Sequence, residues 1–279
     1  MIDLHVHSTY SDGTLTPAEL IRLAAETGTE ALALCDHNTV AGLPDFLEAA
    51  RGTDITAVPG VEFSTDYGNR ELHILGLFIP PEHFATVTEY VNALVLRKDE
   101  SNRKLLQRLK TVGIHMDYEA IQAGNPEGVV NRAVIAAEMM RQGYCESVQE
   151  AFSRWLSPKH GFFIPPKRLD AFETIRFIKS IGAVAVLAHP FLNLDPDGLR
   201  QFLPMAKTQG LDGMEVYYPK FDTKATALAE QLTKEFGLLP SGGSDFHGTN
   251  KPDISMGTGR NNLCIPNDIL KNLASLRKC

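Results

Sequence analysis

Six of the nine histidines in this 279-residue chain stand in short clusters with carboxylates, each closing a brief apolar run. The first is Met1-Ile2-Asp3-Leu4-His5-Val6-His7-Ser8, with Asp12 close behind. The others are Asp36-His37, Glu62, His73, His189 and Asp245-Phe246-His247. Imidazole together with carboxylate suits first-row divalent metals such as zinc, manganese and iron. Apolar runs bounded in this way read as buried parallel strands, whose ends do not tolerate naked charge unless it is paired or liganded. The pattern therefore demands a fold that gathers several strand ends in one place, and it points to metal-assisted hydrolysis.

Composition narrows the partners. A formal net charge of −7 leaves no basic footprint of the kind a duplex-DNA-binding protein shows. Bound divalent ions dominate the field of their own site, so an anionic substrate remains compatible with an acidic chain. Cys35, Cys145, Cys264 and Cys279 are widely spaced with no CxxC, which fits a reducing cytoplasm better than a disulfide scaffold. Cys35 reads as a small buried hydrophobe. No signal-peptide pattern precedes Ile2, and no apolar stretch approaches the ~20 residues needed to span a bilayer. A cytoplasmic address without a membrane partner is expected.

Along the chain, strand and helix signals alternate. Ile2, Leu4 and Val6 share one face of a strand, so His5 and His7 share the other and can reach one ion. Thr16-Pro17-Ala18-Glu19 is a capping box with proline at the first helical position, and the helix it opens stops near Gly28. Ala31 to Cys35 is a buried strand delivering Asp36 and His37, a short helix follows around Phe46 to Ala50, and Glu71 to Phe78 is a strand containing His73. From residue 84 to 155 helical periodicity takes over, as in Val87, Val91, Leu94 and Val95, then Leu105, Leu106, Leu109 and Val112. This segment, 84–155, is expected to be a helical insertion and a natural cap, with 1–83 and 156–279 forming the main domain. There the strand and helix rhythm returns: a helix over Phe172 to Ile181, a strand leading to His189-Pro190, then Gly213 to Tyr218, then Leu238 to Asp245. Chemistry at the carboxyl ends of successive strands is how a β/α barrel builds its site.

Singly, each ligand candidate has a bland alternative: a satisfied core histidine, or an aspartate N-cap at Asp36 or Asp245. Their co-occurrence at several strand ends favours a multinuclear metal site. With Ser11-Asp12-Gly13, Pro59-Gly60-Val61-Glu62, Ala188-His189-Pro190 and Gly243-Ser244-Asp245-Phe246-His247-Gly248 added, the chain resembles the PHP family, named for polymerase and histidinol phosphatase. The resemblance runs over essentially the whole chain and implies an α/β fold, a distorted (β/α)7 TIM-like barrel with a helical insertion. It also implies three divalent metal ions (Mn, Fe or Zn). His5, His7, Glu62 and Asp245 would hold one; Glu62, His73 and His189 a second, with Glu62 bridging; Asp12, His37 and His247 a third. His189, Asp245 and Glu62 are then the expected catalytic residues. Paired ions acidify a shared water and offset charge on phosphoryl oxygens, so no serine or cysteine nucleophile is needed.

Within that family the chain resembles the stand-alone members that remove phosphate from nucleotides such as 3',5'-bisphosphates or trim short 5'-phosphorylated RNA. The expected partner is thus a small phosphorylated substrate. Histidinol phosphatase is the alternative, followed by hydrolysis of cyclic phosphodiesters or amides and by a non-catalytic polymerase-accessory module. Arg132, at the start of an insertion helix, is expected to contact substrate phosphate, although the proline and histidine that usually follow are replaced by Ala133 and Val134. Asn131 reads as a helix cap or a substrate contact, and Tyr217 or Tyr218 as lining the pocket, with Tyr217 taken first. Lys159, His160 and Lys167 form a basic patch, read as a solvated loop ahead of a phosphate rim. Phe162 and Phe163 are placed in the core ahead of stacking on a base. His83 and His115 are read as surface residues.

Overall fold

The short apolar runs fold as strands. In the computed structural model, which describes residues 1–124, 130–166 and 169–277, β1 (Ile2–Val6), β2 (Ala31–Leu34), β3 (Thr56–Tyr67), β4 (Arg70–Leu77), β5 (Leu169–Asp170), β6 (Val184–Leu187), β7 (Gly213–Tyr217) and β8 (Leu239–Gly242) form one sheet. Lys167 and Cys279, and the side chains of Leu94 and Val95, lie outside the described residues. The strand order is β1-β2-β3-β4-β6-β7-β8, with two-residue β5 beside β3. The sheet curls on itself. The His7 N–H donates to the Phe246 carbonyl (2.9 Å) and the Asp245 N–H to the His5 carbonyl (2.8 Å), so the segment after β8 returns to β1.

One expectation needs correcting. The apolar runs read as parallel throughout, yet β4 is antiparallel to both β3 and β6. The cause is local: Tyr67 pairs with Arg70 across Gly68-Asn69, whose φ angles are 58° and 65°. Two consecutive positive φ values are what a two-residue hairpin turn of the right-handed-twist type requires. The hairpin turns His73 back beside the Pro59-Gly60-Val61-Glu62 stretch, with His73 facing Ser64 in the register.

The chain divides into two compact units, Met1–Thr88 with Leu169–Cys279, and Glu89–Arg168. The first carries the sheet and its helices: α1 (Pro17–Thr27), α2 (Leu43–Ala50), the start of α3 (Phe84–Lys110), and the later helices described below. Thr16 caps α1 with the expected reciprocal Glu19 contacts, and Gly28 closes it at φ 72°. Alternating residues of the strands, including Ile2, Leu4, Ala31, Ala33, Leu75, Leu77, Val184 and Val186, are buried together on one side of the sheet. In the second unit the remainder of α3 packs with α4 (Tyr118–Ala123), α5 (Arg132–Arg141) and α6 (Val148–Ala151). Sequence texture puts the end of this helical segment at residue 155. The unit extends to Arg168 because Leu156 and Phe163 bury in the same cluster as Leu105, Leu109, Ile135 and Met139. Helices α7 (Ala171–Ser180), α8 (Pro196–Thr208), α9 (Thr223–Glu235) and α10 (Asp268–Ala274) complete the first unit. No helix among the described residues is long and apolar enough to cross a membrane.

Candidate metal centre

The strand ends converge. His5 and His7, alternate residues on and just beyond β1, are fully buried, and their Nε2 atoms face each other at 3.1 Å. Such an approach needs at least one lone pair pointing inward, and the orientation of His5 is set from behind. Its Nδ1 lies 2.9 Å from Glu215 Oε1, while Glu215 Oε2 accepts the His189 backbone N–H at 2.6 Å. With its Nδ1–H donated to a carboxylate, His5 presents Nε2 as a free acceptor, the second-sphere arrangement usual for metal-binding histidines.

Glu62 stands in the middle of β3, and its two oxygens face opposite sets of imidazoles. Oε1 lies 2.8 Å from His73 Nδ1 and 3.0 Å from His189 Nε2. Oε2 lies 3.3 Å from Nε2 of both His5 and His7 and 3.0 Å from His37 Nδ1. Neither Glu62 Oε2 nor His37 Nδ1 makes a hydrogen bond, although both are buried. Buried polar atoms left in this way are rare and call for a partner. Asp245 Oδ1 faces His7 Nε2 at 3.4 Å and His5 Nε2 at 3.8 Å. On the outer side, half-exposed Asp12 reaches His247 Nε2 at 3.1 Å, His7 Nδ1 at 3.5 Å and His37 Nε2 at 3.7 Å. Three groups thus offer ligand atoms within 4.8 Å of one another: His7, Asp12, His37 and His247; His5, His7 and Asp245; His37, Glu62 and His73. All nine residues expected as ligands come together, His189 through its contact with Glu62. His7 also faces the outer group, and His37 also stands beside Glu62 and His73, while His189 Nε2 shares Glu62 Oε1 with His73.

The electrostatics suit cations. Burial alone would raise Glu62, yet His5, His73 and His37 hold it well below the usual carboxylate range. Asp245 is likewise held low against its burial, by His7 and His5. Burial opposes protonation at His73 too, but Glu62 raises it to about 10, whereas at His37 burial wins and lowers it to about 4. Backbone geometry is unusual at two of the clustered residues, with φ of 27° at His189 and 55° at Asp245. Non-glycine residues in this region store strain and cluster at functional sites.

Several participants were not expected. Asp36 is no helix cap: it accepts from the Ser8 N–H (2.8 Å) and from the Ser8 and Ser11 hydroxyls (both 2.6 Å), fixing the loop after His7. Buried Asp3 accepts from the N–H groups of Ser244 and Gly257, both at 2.8 Å. Asp245 Oδ2 accepts from Tyr218 Oη (2.9 Å) and Lys251 Nζ (2.6 Å). Tyr218 therefore lines the cleft, while the Tyr217 hydroxyl turns to Glu230 at 3.3 Å, in an adjoining cavity that also includes Tyr218. Cys35 is buried, and burial raises its thiol, which makes it a poor nucleophile. In the helical unit Asn131 caps α5, accepting from Ala133 and Val134 N–H groups at 2.9 and 3.0 Å. The Arg132 guanidinium lies 4.2 Å from the centre of the Phe163 ring and donates to the Leu156 carbonyl at 3.2 Å. Phe163 is buried, and Lys159, His160 and His115 are exposed.

Known proteins resemble this chain along most of its length. A family model described as PHP domain matches residues 3–164. A 5'-3' exoribonuclease of Haemophilus influenzae is 33% identical over 88% of this chain and 89% of its own length. A phosphoribosyl 1,2-cyclic phosphate 1,2-diphosphodiesterase of Eggerthella lenta is 31% identical, covering 88% and 94%. A 3',5'-nucleoside bisphosphate phosphatase of Chromobacterium violaceum is 28% identical, covering 88% and 87%. Among solved structures, a chain from Bifidobacterium adolescentis superposes with a TM-score of 0.75 over all of this chain and 96% of its own at 23% identity, a likeness of fold.

Proposed function

Because this chain belongs to the PHP domain family, we propose that it is a metal-dependent phosphoesterase that removes phosphate from nucleotides, with 3',5'-bisphosphate nucleotides or short 5'-phosphorylated RNA as the substrate class. The observation that carries this is the Glu62 carboxylate. Its Oε2 is buried among three imidazole nitrogens with no hydrogen bond of its own, a donor set that suits a divalent cation. The ions would be held at a trinuclear site by His5, His7, Asp12, His37, Glu62, His73, His189, Asp245 and His247, with Glu62 shared. When bound, divalent ions supply Lewis acidity and an acidified water as nucleophile. The chain's own residues set the geometry: Glu215 aims His5, Tyr218 and Lys251 hold Asp245, and Asp36 ties down the loop behind His7. The seven strands of the continuous path, closed by the Val6–Phe246 bridge, support a distorted seven-stranded barrel as the frame.

Relatives acting on RNA and on nucleoside bisphosphates support the substrate class. A second function is favoured by the Eggerthella lenta relative, hydrolysis of a cyclic phosphodiester at the same centre. The test is hydrolysis by manganese-loaded protein, read as orthophosphate and as new monoester or mononucleotide products by chromatography, of adenosine 3',5'-bisphosphate, a short 5'-phosphorylated RNA, histidinol phosphate and a ribose 1,2-cyclic phosphate, with chelated controls. Chelator-sensitive release from the bisphosphate or the RNA is expected. Turnover of the cyclic ester or of histidinol phosphate alone would replace the substrate assignment, and silence with metals bound would overturn the function.

A further inference from the structure

The cleft is lined by two chemically different sets of residues. One carries His37, Glu62, His73, His189 and Asp245; the other brings Asn193, Tyr218, Lys220 and Lys251 to the same cavity of about 300 Å³. The lysines come from neighbouring strands. Lys220 follows β7 by three residues, and Lys251 lies in the loop after β8, beyond Asp245. Lys220 is exposed. Lys251 is half-buried and spends one of its three N–H donors on Asp245 Oδ2.

An anionic substrate entering this cavity meets the carboxylates of Glu62, Glu71 and Asp245. Ions held by the first set would engage only some of the phosphoryl oxygens. The remaining non-bridging oxygens then need other donors, and an ammonium is a compact point charge suited to that task. Resting on the phosphoesterase function above, we propose that Lys220 and Lys251, with the Asn193 amide, form the substrate-recognition wall that binds the non-bridging oxygens of the reacting phosphoryl group. The cavity is at the small end of ligand sites, so the phosphoryl group and the sugar it esterifies fill it. Lys251 has a second task. By holding Asp245 Oδ2 it keeps Oδ1 turned toward His5 and His7, and so positions a proposed metal ligand while contacting the substrate.

The experiment compares manganese-loaded wild type with Lys220→Met, Lys251→Met and Lys251→Arg. It reads metal content, orthophosphate binding by calorimetry, and KM and kcat for adenosine 3',5'-bisphosphate. Loss of one charge-assisted hydrogen bond should weaken orthophosphate binding about tenfold in Lys220→Met and raise KM by a similar factor. Metal content should stay unchanged. Lys251→Met should weaken orthophosphate binding and also lower kcat, with Lys251→Arg restoring most of the binding. Lysine-to-methionine variants that bind orthophosphate as wild type does would overturn the recognition wall. Failure of the underlying function is separable, because it appears in wild type as no chelator-sensitive turnover of any phosphate ester.

Discussion

Glu215→Gln is the substitution that most sharply tests how the centre is held. Glu215 is fully buried and uses both oxygens, Oε1 on His5 Nδ1 at 2.9 Å and Oε2 on the His189 backbone N–H at 2.6 Å. Glutamine has nearly the same shape but only one acceptor oxygen. The His189 amide can only donate, so the glutamine oxygen stays there and its NH₂ turns to His5. Two donors cannot share that contact. His5 must then accept at Nδ1 and carry its proton on Nε2, the atom that faces His7, Glu62 and Asp245. A lone pair aimed at the cation becomes an N–H. Losing an outer partner of a metal-binding histidine costs about 10–100-fold in metal affinity, or roughly 1.4–2.8 kcal/mol. The metal-free fold should lose only about 1 kcal/mol, the net worth of one hydrogen bond. Manganese affinity measured by competition with a chelating dye, beside thermal unfolding of the metal-free protein, separates the two effects. A manganese Kd within twofold of wild type would refute the argument that Glu215 sets the His5 tautomer.

Three further outcomes follow from the geometry. Metal loading should tighten as pH rises from 6.5 toward about 10, because the metal-free His73 keeps its proton up to about 10 beside Glu62 and must surrender it to bind a cation. The same raised value makes the stability that His73 lends the metal-free protein complete below pH 6.5 and lost as pH climbs through about 10, so metal-free and metal-loaded melting temperatures should diverge with alkalinity; parallel pH profiles would contradict it. Gly243→Ala would place a Cβ 2.2 Å from His5 Cβ and 2.6 Å from the His5 nitrogen, forcing the β8 segment off β1. It should cost about 3 kcal/mol or more and reduce bound metal, read by calorimetry and metal analysis. Thr16→Ala removes the capping box of α1 and should lower stability by about 1 kcal/mol, a melting shift of roughly 2–4 °C, with metal content unchanged.

How much was legible in the sequence depends on whether a residue's type and its position carried the same message. His5 and His7 were legible because strand alternation puts two imidazoles on one face next to a buried apolar face, and nothing in a core explains that pairing. Thr16 to Glu19 was legible because a capping box is a purely local device. The antiparallel β4 was missed although its signal was present: Gly68-Asn69 between two apolar runs is a hairpin signature, outweighed by the parallel pattern of the other strands. His37 also reaches Glu62, beside His73 and His189, and does so through a turn whose Asn38 has φ 52°. Strand periodicity does not encode that turn.

Glu215 and Lys251 mark the point where sequence pattern gives out for a physical reason. Glu215 sits in Gly213-Met214-Glu215-Val216-Tyr217, where one carboxylate in an apolar strand signals a buried partner without saying which. Its partners are 210 residues away in sequence for His5 and 26 for the His189 amide. Such pairings exist only once β7 has been laid beside β6 and the sheet has curled round to β1. Lys251 is harder still, since a half-buried lysine in a loop reads as a solvated charge until Asp245 is found 2.6 Å away. The residues that offer lone pairs to a cation are therefore marked by their own chemistry, whereas those that orient them are marked only by their neighbours. The latter fix which lone pair points inward, so selectivity for metal and substrate should reside in Glu215, Tyr218 and Lys251, with the proposed substrate contact Lys220, more than in the nine histidines and carboxylates proposed as ligands.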